Sequence, residues 1–304
     1  MVASGPAGPR RRLGAELRRL RTGAGLHLDE VADHLHCSTS KVSRLETGKG
    51  VPKAADVREL IRIYGVSGDA ERDMLLRLVR ESRTEGWWES YTEGVAPERF
   101  FLDAPGRYPA LEADAVAVRS FDYATFHGLL QTPEYTRAVL SAQLVRNSDP
   151  EIDQLLELRL RRQEALRRPN PLRLTAVVDE SVLMRMVGDT AVMAAQLQHL
   201  LDVMTLPHVT IQVLAFASGL RRAHAGHFML LEIPDDLGSD VVYIEGPAGE
   251  TVLEGESNVD LYGDVFDDAL ASSLDESASR EAVRQYAYHY APRGKALDDR
   301  FSGQ

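Results

Sequence analysis

Thr39, Ser40, Lys41, Ser43, Arg44, Lys49 and Lys53 bring hydroxyls and cations together in one short stretch of the chain. Hydroxyl and ammonium groups donate well to phosphate oxygens, contacts that position a protein without reading sequence. A guanidinium does more, because its planar fork matches two acceptors on a guanine edge. Within CSTSKVSRLETGKG, Arg44 is the side chain with that capacity, and the set as a whole fits the groove of a nucleic acid. The plainer reading, a solvated basic face on a small helical bundle, uses the same residues.

Two further groups carry chemistry. The segment ASGLRRAHAGH holds Arg221, Arg222, His224 and His227, cationic and imidazole groups in a loop of the kind that carries binding sites. They fit a small-molecule ligand or an ordinary loop; as a metal site, His224 and His227 lack a third ligand at a telling spacing. The segment RLRRQEALRR offers Arg159, Arg162 and Gln163 for a second DNA contact or an anion site, against the commoner solvated face paired with acidic residues. His34 to Cys37, HLHC, straddles a helix end without further ligands and reads as a packed turn. Asp179 and Glu180 read as a helix cap, and the chain has no phosphate loop, G-x-S-x-G elbow or H-E-x-x-H motif. Neither an enzyme nor a cofactor is expected.

These groups need elements to hold them. Leu13, Leu17 and Leu20 space an apolar stripe along a first helix that Gly23 and Gly25 end. HLDEVADHL makes a second, short helix whose start is weakened by His27 where a capping box would place Ser or Thr. Ser38 caps a third, anchored by Val42 and Leu45, and Val57, Leu60, Ile61 and Tyr64 mark a helix after Pro52. Two short helices joined by a tight turn in a basic bundle describe a helix-turn-helix. AERDMLLRLVRES continues as an amphipathic helix, and Trp87 and Trp88 are expected at a domain junction. Farther on, LRLTAVVDE, VTIQVLA, HFMLLEI and DVVYIEG read as strands, with helices over 190–204 and 259–271.

The predicted fold class is therefore α+β: an all-α five-helix bundle followed by a larger mixed domain with a central sheet. The expected divisions are a flexible arm over 1–9, the helix-turn-helix domain over 10–68, a linker helix and Trp junction over 69–95, an acidic regulatory and dimerisation domain over 96–290, and a flexible tail over 291–304. Charge divides along the same line. Residues 1–65 hold 12 Lys and Arg against 7 Asp and Glu, whereas residues 66–304 hold 23 against 39, in a chain of formal charge −11. Salt screens the distant acidic charge within about 10 Å, so the basic part can still attract phosphates. No apolar run approaches the length of a membrane span, the N-terminus lacks the apolar core of a signal peptide, and Cys37 stands alone. A cytoplasmic protein is expected, with no structural metal.

The segment LRRLRTGAGLHLDEVADHLHCSTSKVSRLETGKGVPKAADVREL resembles the Cro/lambda-repressor (XRE) helix-turn-helix class across its length. The resemblance implies that Arg21 bridges Glu46 between the first and third helices, and that a phosphate contact often made by glutamine at the start of helix two is absent here, where Leu28 stands. ALEADAVAVRSFDYATFHGLLQTPEYTRAVL, followed in order by RLRRQEAL, VVDESVLMRMVGD, QLQHLLDVM, VTIQVLAF and VVYIEG, is similar to the second domain of an actinobacterial regulator family. That domain is antitoxin-like and of undetermined biochemistry. This chain departs from its PGLLQTPEYA pattern at His127 and Thr136. The resemblance implies a transcriptional regulator, often encoded beside a small acidic partner protein, with no established enzymatic activity. The leading expectation is a sequence-specific regulator that binds a double-stranded DNA operator as a homodimer and takes a signal, small molecule or protein, on its acidic domain. The alternatives are an antitoxin-like protein that holds a small partner and autoregulates its operon, and an enzyme fused to a helix-turn-helix.

Overall fold

Five helices open the chain in a computed structural model that describes residues 7–48, 50–83, 86–91, 107–143, 148–234, 239–246 and 249–291. They are α1 (Ala7–Gly23), α2 (Leu28–His34), α3 (Thr39–Glu46), α4 (Ala54–Ile63) and α5 (Asp69–Glu81). The 1–6 part of the expected arm and the 292–304 part of the expected tail lie outside the described residues. Ala7, Gly8 and Pro9, assigned to the arm from sequence, form the first turn of α1. The start of α1 has a partner for one of its unsatisfied N–H groups, because Gly8 N donates to Asp114 Oδ2 at 2.6 Å.

One core unites the five helices. Leu13 and Leu17 of α1 meet Val31, Val42, Val57 and Leu60, as the apolar spacing requires. Leu75, Leu78 and Val79 of α5 belong to the same core, so the helix read from sequence as a linker is part of the bundle. Gly14 marks where α1 and α3 approach most closely: a Cβ there would lie 2.6 Å from the carbonyl oxygens of both Leu45 and Glu46. Trp88 is buried and meets Trp87 edge-on at 5.8 Å. The same compact unit, Met1–Ser90, also takes in Gly106–Ala115 and Ile233–Ser239. Helix α6 (Tyr108–Asp114) therefore packs with α1 although it directly precedes the sheet in the chain.

The second unit is built on a six-stranded sheet in the order β3-β2-β1-β4-β5-β6. Its strands are β1 (Ala117–Asp122), β2 (Arg173–Asp179), β3 (Val209–Leu214), β4 (Phe228–Glu232), β5 (Val241–Gly246) and β6 (Gly249–Glu254). The first three run parallel, joined by helical crossovers; β4 pairs antiparallel with β1, and β5 and β6 each add antiparallel to the strand before. Between β1 and β2 lie α7 (Pro133–Gln143) and α8 (Asp149–Arg162); between β2 and β3 lie α9 (Glu180–Met184) and α10 (Thr190–Val203). After β6 come α11 (Glu256–Ala271) and α12 (Glu276–Tyr290). Phe266 and Ala269 of α11 pack on Phe121, Val177, Leu214, Phe228 and Val242, which alternate onto one face of the sheet. The outer edge of β3 is closed by the α11–α12 connection: Leu274 N donates to Val213 O, and Val213 N donates to Ser279 Oγ.

The fold is α+β, as the alternating sequence signals imply, but the sheet is wider than the four strands read from them. Strand β1 holds its centre and β6 one edge, and neither was anticipated. Helix α12 also lies beyond the expected elements.

Candidate nucleic-acid interface

Ser38 begins α3 by accepting a hydrogen bond from Lys41 N at 3.3 Å. Its connection from α2 passes through His36, whose φ of 49° lies in the left-handed region that a non-glycine residue rarely adopts. Along α3 the side chains separate by face. Val42, Leu45 and Glu46 are buried, whereas Thr39, Ser40 and Arg44 are exposed and Ser43 is half-buried.

Glu46 is held rather than merely covered. Arg21 of α1 donates to both of its carboxylate oxygens, at 2.6 and 3.1 Å, and donates again to Leu26 O at 2.8 Å. The hydrogen bond to Glu46 raises the Arg21 guanidinium above the ordinary arginine value. One fork thus ties α1 to the end of α3 and to the chain entering α2. The start of α2 keeps half of a capping box, because the Glu30 carboxylate accepts from His27 N at 2.7 Å.

The cations differ from one another in ways the sequence hides. Arg44 and Lys53 are exposed, and neither side chain makes a hydrogen bond or ion pair among the described residues. Lys41 does: its Nζ lies 2.6 Å from Asp56 Oδ2 of α4, and this contact raises its ammonium above the usual lysine range. Lys41 is thus an engaged cation. Asp56 went unnoticed in the sequence because nothing in its spacing links it to α3. Lys49 lies outside the described residues. Other cations of the basic half serve packing: Arg10 Nε donates to Ser82 O at 2.8 Å, and Arg19 reaches Glu71 at 2.7 Å.

The loop candidates of the second unit divide as well. His224 Nε2 lies 3.0 Å from Asp179 Oδ2, and its Nδ1 lies 2.9 Å from Arg221 N. The backbone N–H must donate, so Nδ1 accepts and Nε2 carries the proton given to Asp179. Asp179 also accepts from Ser181 N, as the helix cap read from the sequence. His227 Nδ1 lies 2.8 Å from Phe121 O and 3.6 Å from Asp122 Oδ1. Asp122 and Asp179 end the parallel strands β1 and β2, so alignment of those strands puts both carboxylates beside the histidine loop. Arg221 donates to Ser218 O at 2.9 Å, while Arg222 is exposed and makes no hydrogen bond or ion pair among the described residues.

Arg159 and Arg162 are buried at 4% and 3% exposure, which corrects the commoner reading of a solvated face as well as the second DNA contact weighed against it. Arg159 Nη1 donates to Gln131 Oε1 at 3.0 Å, Thr136 Oγ1 donates to the same oxygen, and Gln131 Nε2 donates to Phe126 O at 2.6 Å. Gln163 Nε2 donates to the carbonyls of Gly128 and Gln131, and Gln196 binds Leu130 O and Thr132 N. The HGLLQTPEY stretch is thereby a buried polar network that fixes the start of α7. Thr136, one of the departures from the family pattern, is a donor within it.

A paired helix geometry with an exposed polar and cationic face on its second member defines a helix-turn-helix protein, and a family described as a helix-turn-helix domain matches residues 12–75. That domain indicates a DNA-binding regulator. A second family, described as a domain of unknown function (DUF5753), matches residues 106–285, from the start of α6 into α12. The chain belongs to this family. No curated protein matches the chain, and no solved structure matches it. No helix among the described residues is long and apolar enough to cross a membrane.

Proposed function

We propose that the protein is an XRE-type, sequence-specific transcriptional regulator that reads a double-stranded operator with α3. The observation that carries this reading is the asymmetry of α3 itself. Its apolar side and Glu46 are locked to α1, while Thr39, Ser40 and Arg44 are exposed, and the Arg44 guanidinium has no partner among the described residues. Such a helix is held rigidly and presents side chains that make no contacts of their own, which is what groove recognition needs. Arg44 reads a guanine edge; Thr39, Ser40 and Ser43 supply hydroxyls to bases or phosphates; Lys53 takes a phosphate. The protein acts as a homodimer on a two-fold related site, because a single small module buries too little surface for tight specific binding. The sheet domain supplies the dimer contact and the signal-binding function and carries no catalytic activity.

The test begins by sequencing genomic fragments retained by the purified protein and titrating the resulting duplex at fixed salt. Arg44→Ala is expected to cost about 1–3 kcal/mol on the operator and to relax specificity at one base pair. Unchanged operator affinity would remove Arg44 from the interface, and failure to enrich any sequence would remove the regulator reading.

A further inference from the structure

A cleft of about 490 Å³ opens in the second unit. That volume lies within the range of roughly 300–1,000 Å³ in which small molecules bind. Its lining joins the loop before β4, through Arg222 and His227, to Phe228 at the start of β4 and to Leu261, Tyr262 and Val265 of α11. Phe228 is buried beneath it, with its ring 5.0 Å from that of Tyr262. Leu261 is 48% exposed and Val265 half-buried, so the wall offers apolar surface that nothing among the described residues covers.

The polar groups of the cleft specify what would cover it. Arg222 is exposed and makes no hydrogen bond or ion pair among the described residues, in a part of the chain where Asp and Glu outnumber Lys and Arg 39 to 23. An uncompensated guanidinium in such an acidic region is a ready receptor for a carboxylate, which it grips through two parallel hydrogen bonds. His227 is oriented by Phe121 O, which lies 2.8 Å from its Nδ1. Arg222 is the one Lys or Arg side chain on a lining whose other residues are His227, Tyr262 and mainly apolar groups, so a second negative charge would lose its water without a guanidinium of its own.

We propose that this cleft binds a small organic monocarboxylate with an apolar body, its carboxylate on Arg222 and its body on Phe228, Tyr262 and Val265. The inference rests on the regulator reading only in giving the sheet domain its signal. Binding is measured without DNA, so either idea can fail alone. Titration calorimetry on the full chain with octanoate, and with 1-octanol as the uncharged counterpart, decides it. Octanoate is expected to bind saturably, octanol about tenfold more weakly or worse, and Arg222→Met to remove that preference. Leu261→Trp, at an exposed wall position that does not touch the charge, is expected to block both ligands. No saturable octanoate binding up to about 10 mM, equal binding of the two ligands, or undiminished octanoate affinity in Arg222→Met would overturn the proposal.

Discussion

On the helical bundle Arg44 stands exposed with its guanidinium unengaged among the described residues, whereas in the sheet domain Arg159 lies buried and donates to Gln131. Both occur in helices whose sequences alternate apolar and basic residues, and both read from sequence as surface cations. The difference is one of surroundings. A helix of eight residues at the rim of a small bundle must leave one side to water. A helix between two strands of a sheet can be enclosed, and its polar side chains must then find partners inside. In the bundle Arg44 and Lys53 remain available to an outside partner while Arg21 and Lys41 are engaged; in the sheet domain Arg159 and Arg221 fix loops. Arg222 departs from that pattern, and the cleft beside it follows from the exception.

The comparison can be broken most severely at Glu46. Removing this carboxylate strands the half-buried Arg21, so Glu46→Ala should cost the bundle about 3 kcal/mol, read by denaturant unfolding. If its stability were unchanged, α3 would not be locked as described. Next in size is Arg159→Ala, expected to lower the stability of the sheet domain by about 2–3 kcal/mol while leaving operator affinity intact. Arg44→Ala should show the converse, with stability within about 0.5 kcal/mol of the original and binding impaired. Equal effects of the two substitutions on either measurement would erase the distinction. The smallest effect is expected at Asp56. Asp56→Asn frees Lys41 for a phosphate, which should raise affinity for unrelated duplexes and steepen the dependence of log K on log salt by about 0.9. An unchanged slope would mean that Lys41 reaches the phosphate despite its ion pair.

Much of the bundle was legible because its signals are local. The stripe Leu13, Leu17, Leu20, the Ser38 cap and the Val42–Leu45 spacing each act within one helix. The Arg21–Glu46 pair was reached through a family resemblance, and the two side chains meet in the structure. Strand β1 was not legible. Its AVRSFD sequence places Ser120 and Asp122, both fully buried, among apolar neighbours, so it lacks the clean alternation of a half-exposed strand. The structure explains the burial: β1 is flanked by β2 and β4, and Ser120 Oγ donates to Asp122 Oδ2 at 3.0 Å. Strand β6, GETVLE, was hidden because a glycine and two glutamates leave Val252 and Leu253 as its only adjacent apolar pair. Lys41 and the histidine loop were recognised as chemical groups but not as partners of Asp56, Asp179 and Asp122, because those carboxylates are remote in sequence and approach only through packing.

The sequence by itself determined the α+β class, the helix-turn-helix and the face of α3 that carries hydroxyls and Arg44, since short-range periodicity and capping fix which side of a helix is apolar. Only the tertiary structure decided which cations remain available. Lys41, Arg159 and Arg221 each have partners, while Arg44, Lys53 and Arg222 have none among the described residues. The physical reason is that a charge takes its role from the groups within a few ångströms, and in a folded chain those groups come from distant elements.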